Sequence, residues 1–475
     1  MRRLDRAVAP LVTLLDRAGV IDPERLDATV ALAWPRTITG FAIMSKQAVD
    51  LALVGLAVGP TAVAGLAFAN AYWLVAKRVG IGLAGGAVGL VSQNYGGGAD
   101  ARASLIVKQA TWVALAFGVP IAVAYALFAR PLVALVGSDP AAVAHGATYL
   151  AFVAPGLLFE FLNLIASRTY AGVGDTRTPM VVRGGAAALN VVLSAAFIFG
   201  AGLGVAGAAL GTTLSTGAGL LVIAWGMLGR SYGTRLLRPS PVPIRVGGPQ
   251  FDRGLARQLL TVSAPLMLRR VTEGIVIFPI LRIAATFGPL VVAGLEVGRR
   301  VRALVASFSW GFSIAASTLV GQHLGRGEET EAEAYGAAIL RLSAVVYLVV
   351  AAVVVGFATP IAGLFVRDPA TVARAATFVA VGAVSAVTLG IDASATGALR
   401  GAGDTRWPLL ASLLGRYAFG LPLAALGTVT ALGVGGLYLA LVVETLVPAA
   451  ITSWRFSTNR WKAVSRAYRP SSEPG

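Results

Sequence analysis

Cysteine is absent from this 475-residue chain, histidine occurs twice, and only 13% of residues are charged. Without cysteine there are no disulfides and no thiolate metal sites. His145 and His323 have no metal-ligand spacing, and no serine has a visible histidine or paired acid as its base, so enzymatic chemistry has no foothold. No GK[ST] follows the glycine string GIGLAGGAVGL; it lies inside an apolar run, where small residues allow close helix packing. Lacking a nucleotide-binding cassette, transport by such a chain would draw on an ion gradient, a membrane potential or downhill flow of substrate. Soluble domains carry about 25% charged residues, roughly twice the share found here. What the chain has instead is apolar runs such as LYLALVVETLVPAAI, in a composition that is 56% hydrophobic. The runs do not alternate as barrel strands do, so the expected fold class is an all-α polytopic membrane protein.

The few charges are unbalanced, with a net charge of +17. Basic residues collect in cytoplasmic loops and tails. The linker between Arg230 and Arg257 holds six arginines and one aspartate, and the tail WRFSTNRWKAVSRAYRP adds five bases and no acid. Both are expected to face anionic lipid, not nucleic acid. At the N-terminus, Leu4, Ala7, Val8, Leu11 and Leu15 share one helical face opposite Arg3, Arg6 and Asp16. Asp16 and Arg17 interrupt the apolar stretch and no cleavage site follows, so residues 1–27 read as an interfacial helix and not as a signal peptide.

Hydropathy and Pro/Gly punctuation divide the rest into twelve expected spans. They fall near 28–54, 60–93, 103–128, 141–169, 177–200 and 204–228, then 258–287, 289–322, 331–357, 370–398, 406–429 and 432–456. The halves are copies at an offset of 229. AGVGDTRTPMV at 171 returns as RGAGDTRWPLL at 400, Gly59-Pro60 as Gly288-Pro289, Gln93 as Gln322, and Gly204-Val205 as Gly433-Val434. FARPLVALVGSDPAAVA and FATPIAGLFVRDPATVA share nine of seventeen residues at the same offset. Two six-helix lobes, 28–228 and 258–456, joined by a basic linker (229–257) and followed by a basic tail (457–475), therefore form a parallel repeat, which places a substrate site between the halves. An even number of spans puts both termini on one side, expected to be the cytoplasmic side of the plasma membrane. The repeated G-x-G-D-T-R-x-P phrase reads as an inter-helix turn with a helix cap, and proline in the next first turn.

Both copies of that phrase, with AVDLALVGLAVGPTAVAGLA, GLVSQNYGGG and ALNVVLSAAFIFG, resemble the multidrug and toxic compound extrusion family of the flippase superfamily that contains it. The resemblance covers residues 28–456. It implies a twelve-helix exporter that exchanges a cation, H+ before Na+, for an amphipathic compound by alternating access. The family's N-lobe ion site is an acid, an Asn, an Asp and a Thr; the matching positions are Asp50, Asn190, Ser194 and Thr212. Ser194 replaces a carboxylate, which removes a charged oxygen that a hard cation such as sodium would use. Other branches use an acid after a span-7 proline, matched by Glu273 after Pro265, and an aspartate on span 10, near Asp392.

Charges inside spans are costly and face cavities or partners. Lys46 precedes Asp50 by one turn, where the family usually has tyrosine, and Arg269 and Arg270 precede Glu273 similarly. Two readings stand: neutralised structural pairs, or an ion-coupling Asp50 modulated by Lys46 through a salt bridge that opens and closes. The bases Lys77, Arg78, Arg299 and Arg300 also lie within spans, and Trp73 stands one turn before Lys77 as a stacking surface. A cavity so lined suits anionic or zwitterionic amphiphiles, and flippase relatives carry basic residues on corresponding spans. Export of an anionic or lipid-linked amphiphile is thus the alternative to drug export. No cofactor, no resident metal and no nucleic acid are expected; the partners are an amphipathic or lipid-like substrate and membrane lipids, with the chain a monomer.

Overall fold

The computed structural model describes residues 2–137, 139–245 and 247–469, with side chains from Ala9 onward. The first part of the chain forms α1 (Arg2–Arg17), α2 (Pro23–Ala57), α3 (Pro60–Gly96), α4 (Asp100–Leu127), α5 (Ala129–Ala134), α6 (Pro140–Gly172), α7 (Arg177–Ala195) and α8 (Gly204–Met227). After the linker come α9 (Arg253–Ile275), α10 (Ile277–Thr286), α11 (Pro289–Gly325), α12 (Glu329–Gly356), α13 (Ala358–Gly363) and α14 (Pro369–Gly401). The chain ends with α15 (Arg406–Leu413), α16 (Leu421–Val429), α17 (Gly435–Ser457) and α18 (Arg460–Arg466). Helix α1 occupies the expected interfacial segment. Leu4, Ala7, Val8, Arg3 and Arg6 lie outside the described side chains, while Leu11 and Leu14 are exposed.

The repeat holds to the residue. Pro60 and Gly96 bound α3 as Pro289 and Gly325 bound α11; the ends of α4, α5 and α6 likewise return in α12, α13 and α14. The reasons are local. Asp139 and Asp368 accept hydrogen bonds from Ala142 N and Thr371 N, each at 2.8 Å, and cap α6 and α14 ahead of Pro140 and Pro369. The Thr371 hydroxyl and amide hold the exposed Asp368 carboxyl below its ordinary range. Gly59 and Gly288 sit at φ 105° and 95°, in the left-handed region where a side chain is strained, and reverse the chain between long helices.

Eleven helices among the described residues are long and apolar enough to cross a membrane. The expected span 258–287 is not a single rod. It is divided into α9 and α10 at Val276, and Arg253, Arg257, Arg269, Arg270 and Glu273 give α9 too much charge to join the eleven.

The chain forms two compact units, Ile38–Arg270 and Met1–Thr37 with Val271–Gly475. The boundaries fall inside α2 and α9, so each unit contains part of a helix that the other unit completes. In the first unit, α3 packs most closely on α6, and Leu83, Leu90, Leu150, Leu157 and Phe161 are fully buried. In the second, α11 packs on α14 around Val320, Ile339 and Leu399, and Ile21, Leu32 and Ala33 join that core. Gly172 and Gly401 make equivalent close approaches: an added Cβ would stand 3.2 Å from Val88 O and 2.6 Å from Ser317 O.

The linker and tail also pack against the protein. The linker lies along α4, where Ser104 Oγ donates to Pro243 O at 2.8 Å and Lys108 Nζ to Gly247 O and Pro249 O. In the tail, Lys462 pairs with Glu333 at 2.5 Å, and Arg466 and Arg469 pair with Glu329. Two acids at the start of α12 thus partner three of the tail bases. Trp461, fully buried and stacked on Phe456, anchors them.

Candidate functional site

Within the unit 38–270, α2, α3, α6, α7 and α8 line a partly open cavity of about 80 Å³. Asp50 reaches it from α2 and is 5% exposed. Its Oδ1 accepts from Ser194 Oγ at 3.2 Å and its Oδ2 from Thr212 Oγ1 at 3.4 Å. With its amide nitrogen turned to the carboxylate, Asn190 donates to Asp50 Oδ1 at 2.9 Å, while its oxygen accepts from Thr212 N at 3.1 Å. The four residues matched by resemblance are therefore one hydrogen-bonded cluster.

The helices converge for identifiable reasons. Asn190 and Ser194 are four residues apart on α7 and share a face; a π-helical turn, Ala196–Gly200, follows at once. Helix α8 approaches closely because Gly211 has no side chain: a Cβ there would stand 2.5 Å from Ser194 Oγ and 2.8 Å from Ser194 N. Gly211→Ala is expected to push α8 away and lower stability by about 1–3 kcal/mol, the usual range for overpacking. A thermal melt in detergent reads this, and an unchanged midpoint would show that the helices do not need that approach.

Lys46 lines the same cavity but forms no ion pair within 4.0 Å among the described residues. The structure thus shows the Lys46–Asp50 bridge open. One-turn spacing puts both side chains on one face, but the carboxylate turns to the neutral donors of α7 and α8.

The strongest ion pairing in the cavity lies elsewhere. Glu160 on α6, 4% exposed, meets Lys77 Nζ at 2.9 Å and accepts two hydrogen bonds from Arg183 Nη2, at 2.8 and 3.0 Å. Trp73, Tyr149 and Asn163 complete the wall that matters. Glu160 and Arg183 were visible as charges within spans, but nothing in local spacing joins three residues from three helices. Arg78 is not a cavity residue: its Nη1 donates to Arg270 O at 2.9 Å. Arg269, buried, precedes it on α9.

In the other unit, Glu273 pairs with Arg416 at 3.6 Å, a partner from the π-helical turn Leu414–Gly420 that spacing along α9 does not reveal. Asp392 accepts from Thr396 and Thr452 hydroxyls, each at 3.2 Å. Arg299 and Arg300 both pair with Glu296 on their own helix, and neither lines the cavity described above. Arg302 meets Glu444 at 2.6 Å. The polar cluster itself was not duplicated: 229 residues beyond Asp50, Asn190, Ser194 and Thr212 stand Pro279, Phe419, Leu423 and Leu441.

The repeated loops have also diverged. Asp175 caps α7, accepting from Thr178 N at 2.9 Å and Thr178 Oγ1 at 2.6 Å. Asp404 is buried and takes Arg455 Nε of α17 at 2.7 Å; burial nonetheless holds its carboxyl above the ordinary value. Gly403, at φ 83°, leaves room for the ring of Tyr468.

The MatE family model matches residues 35–196 and 265–426, one match in each half of the repeat. The chain belongs to the MATE family. This MATE protein is a membrane transporter, not an enzyme. It is 29% identical to a Rhodopseudomonas palustris protein named "Probable multidrug resistance protein NorM", over 92% of this chain and 94% of that one. It is 27% identical to the multidrug resistance protein PmpM of Pseudomonas aeruginosa, over 84% and 83%. A solved outward-facing multidrug resistance MATE transporter of the MOP superfamily shares the fold, with a TM-score of 0.82 at 21% identity, covering 92% of this MATE protein and 96% of that chain.

Proposed function

We propose that the protein exports amphipathic small molecules from the cell by exchanging them for protons at Asp50. The observation that carries this is a buried carboxylate held by three neutral donors in a cavity with room for several waters. Such a group can take up and release a proton without breaking an ion pair. Sodium fits less well. The Asn190 nitrogen and two hydroxyls face the carboxylate as donors, only one carboxylate is present, and a hard cation prefers several oxygen ligands. Among the described residues no cluster of three His, Asp or Glu could hold a metal.

Drug-sized ligand pockets measure about 300–1,000 Å³, so at about 80 Å³ the cavity must open to admit a substrate. That is what alternating access between two repeat-related lobes provides. The basic linker and tail support chain ends in the cytoplasm, with the spans in the plasma membrane. The multidrug resistance proteins it resembles support a drug-like substrate.

Reconstituted liposomes with an imposed pH gradient test the reading, with a cationic dye and an anionic amphiphile run side by side. Gradient-driven, sodium-independent dye movement is the expected result. A sodium requirement would overturn proton coupling. A second reading, export of an anionic or lipid-linked amphiphile, is favoured by three bases against two acids around the cavity; movement of the anion alone would put it first.

A further inference from the structure

A second hollow, of about 610 Å³, lies within the unit 38–270 between the first turns of α4, the linker and the start of α9. It shares no residue with the cavity around Asp50. Three bases line it, Arg102, Lys108 and Arg245, against the single acid Asp252. Lys108 is 7% exposed, and no carboxylate pairs with it among the described residues. Its Nζ donates only to backbone, to Gly247 O at 3.2 Å and Pro249 O at 3.1 Å. An ammonium carries three donors, so one is left. Arg245 is exposed and likewise has no paired acid among the described residues. Asp252 is engaged as the cap of α9, its Oδ1 accepting from Leu255 N at 2.9 Å. The hollow thus keeps an excess of positive charge, with one of its cations buried.

Its depth in a bilayer follows from the length of α4. About 20 helical residues cross the hydrocarbon core. Counted back from Leu127, the last residue of α4, they reach Lys108. The stretch between them presents Trp112, Phe117, Val119 and Val123 as exposed apolar side chains. Lys108 therefore stands at headgroup level, where a lipid-facing run ends. Leu105, which also lines the hollow, and Trp112 flank Lys108 at helical spacing on one face of α4. A half-exposed indole one turn inward from a base is the ordinary mark of the membrane interface.

We propose that this hollow binds the headgroup of an anionic phospholipid, with the phosphate received by Arg102, Lys108 and Arg245 and the acyl chains lying along α4 past Trp112. Guanidinium groups bind phosphate through paired N–H bonds, and basic pockets beside spans take lipid headgroups in this way. A soluble phosphate offers the same charge but has nothing to lay on the apolar face. The bound phosphate bridges α4 and the linker, and so reinforces the contacts that Ser104, Lys108 and Gln109 already make to linker carbonyls.

The test measures lipid binding to the full-length protein in detergent by native mass spectrometry. The probes are dioleoylphosphatidylglycerol, dioleoylphosphatidylcholine and inorganic phosphate. The wild type is expected to hold one phosphatidylglycerol about tenfold more tightly than phosphatidylcholine, and inorganic phosphate should not displace it. Lys108→Met should abolish the preference. Because Lys108 also pins the linker, Arg245→Gln is the cleaner variant, expected to weaken phosphatidylglycerol about fivefold at an unchanged melting temperature. Arg235→Gln removes the same charge from the linker outside the hollow and should change nothing. Equal affinity for the two lipids overturns the proposal. So does an equal loss in Arg235→Gln and Arg245→Gln, which would mean diffuse charge attraction without a site. Displacement of the lipid by inorganic phosphate would make the hollow a site for soluble phosphates and overturn the lipid assignment.

Discussion

Asp50→Asn is expected to reduce gradient-driven uptake to the level of empty liposomes while leaving the protein folded. The amide has nearly the volume of the carboxyl, so the packing of α2 against α7 and α8 is kept. It cannot take up or release a proton in the working range, which removes the exchange itself. Its oxygen can still accept from Ser194 Oγ, now 3.2 Å from Oδ1, while the amino group that replaces Oδ2 faces Thr212 Oγ1 as a donor. The Asn190 nitrogen keeps its acceptor at the Oδ1 position, 2.9 Å away, and loses the one at Oδ2. Uptake measured in both variants, with the melting temperature as control, decides the matter. Retained uptake in Asp50→Asn would mean that the coupling proton binds elsewhere, and Glu160 would be the next group to replace.

Glu160→Gln carries the largest expected cost in stability. The side chain of Glu160 is 5% exposed, and those of Lys77 and Arg183 are 14% and 12% exposed. Removing one partner of a buried pair leaves the others desolvated without compensation, which costs about 3–5 kcal/mol. Replacing the whole cluster by apolar residues of similar size, as in Lys77→Met with Glu160→Leu and Arg183→Met, is expected to restore most of the lost stability, since well-packed apolar groups often match or exceed a buried ionic cluster. Melting curves of the single and triple variants make the comparison. A single variant as stable as the wild type would mean that water reaches the cluster freely. A triple variant that folds but does not transport would give the cluster a part in the transport cycle beyond holding the helices.

Much of the architecture was legible in the chain because its signals are repeated and local. Pro60 and Pro289, or Asp139-Pro140 and Asp368-Pro369, each mark a helix start by a rule that needs no distant partner. One offset then supports the bounds of α3 to α6 a second time, in α11 to α14. The break between α9 and α10 escaped because apolar residues continue across Val276. Asp50 was legible because a carboxylate in an apolar run is conspicuous. Its true neighbours on α7 and α8 came from resemblance, whereas spacing along α2 pointed to Lys46 instead. Glu160, Lys77 and Arg183 come from α6, α3 and α7, and only the folded packing shows that two bases share one acid. Arg416 likewise finds Glu273 from a π-helical turn, a local irregularity that no periodicity announces.

The division of α2 and α9 between the two units constrains the order in which the molecule can be made. The unit Ile38–Arg270 is continuous and can close as soon as its last residue leaves the ribosome. The other joins residues 1–37 to residues 271–475, so its first segment waits for chain made after Arg270. At about 5–20 residues per second, the remaining 205 residues take roughly 10–40 s. Until α11 is made, Leu32, Ala33 and Thr37 have no core to enter; Gly311 on that helix is left bare to admit the backbone of Ala33. The start of the protein is thus buried only after segments made much later in the chain.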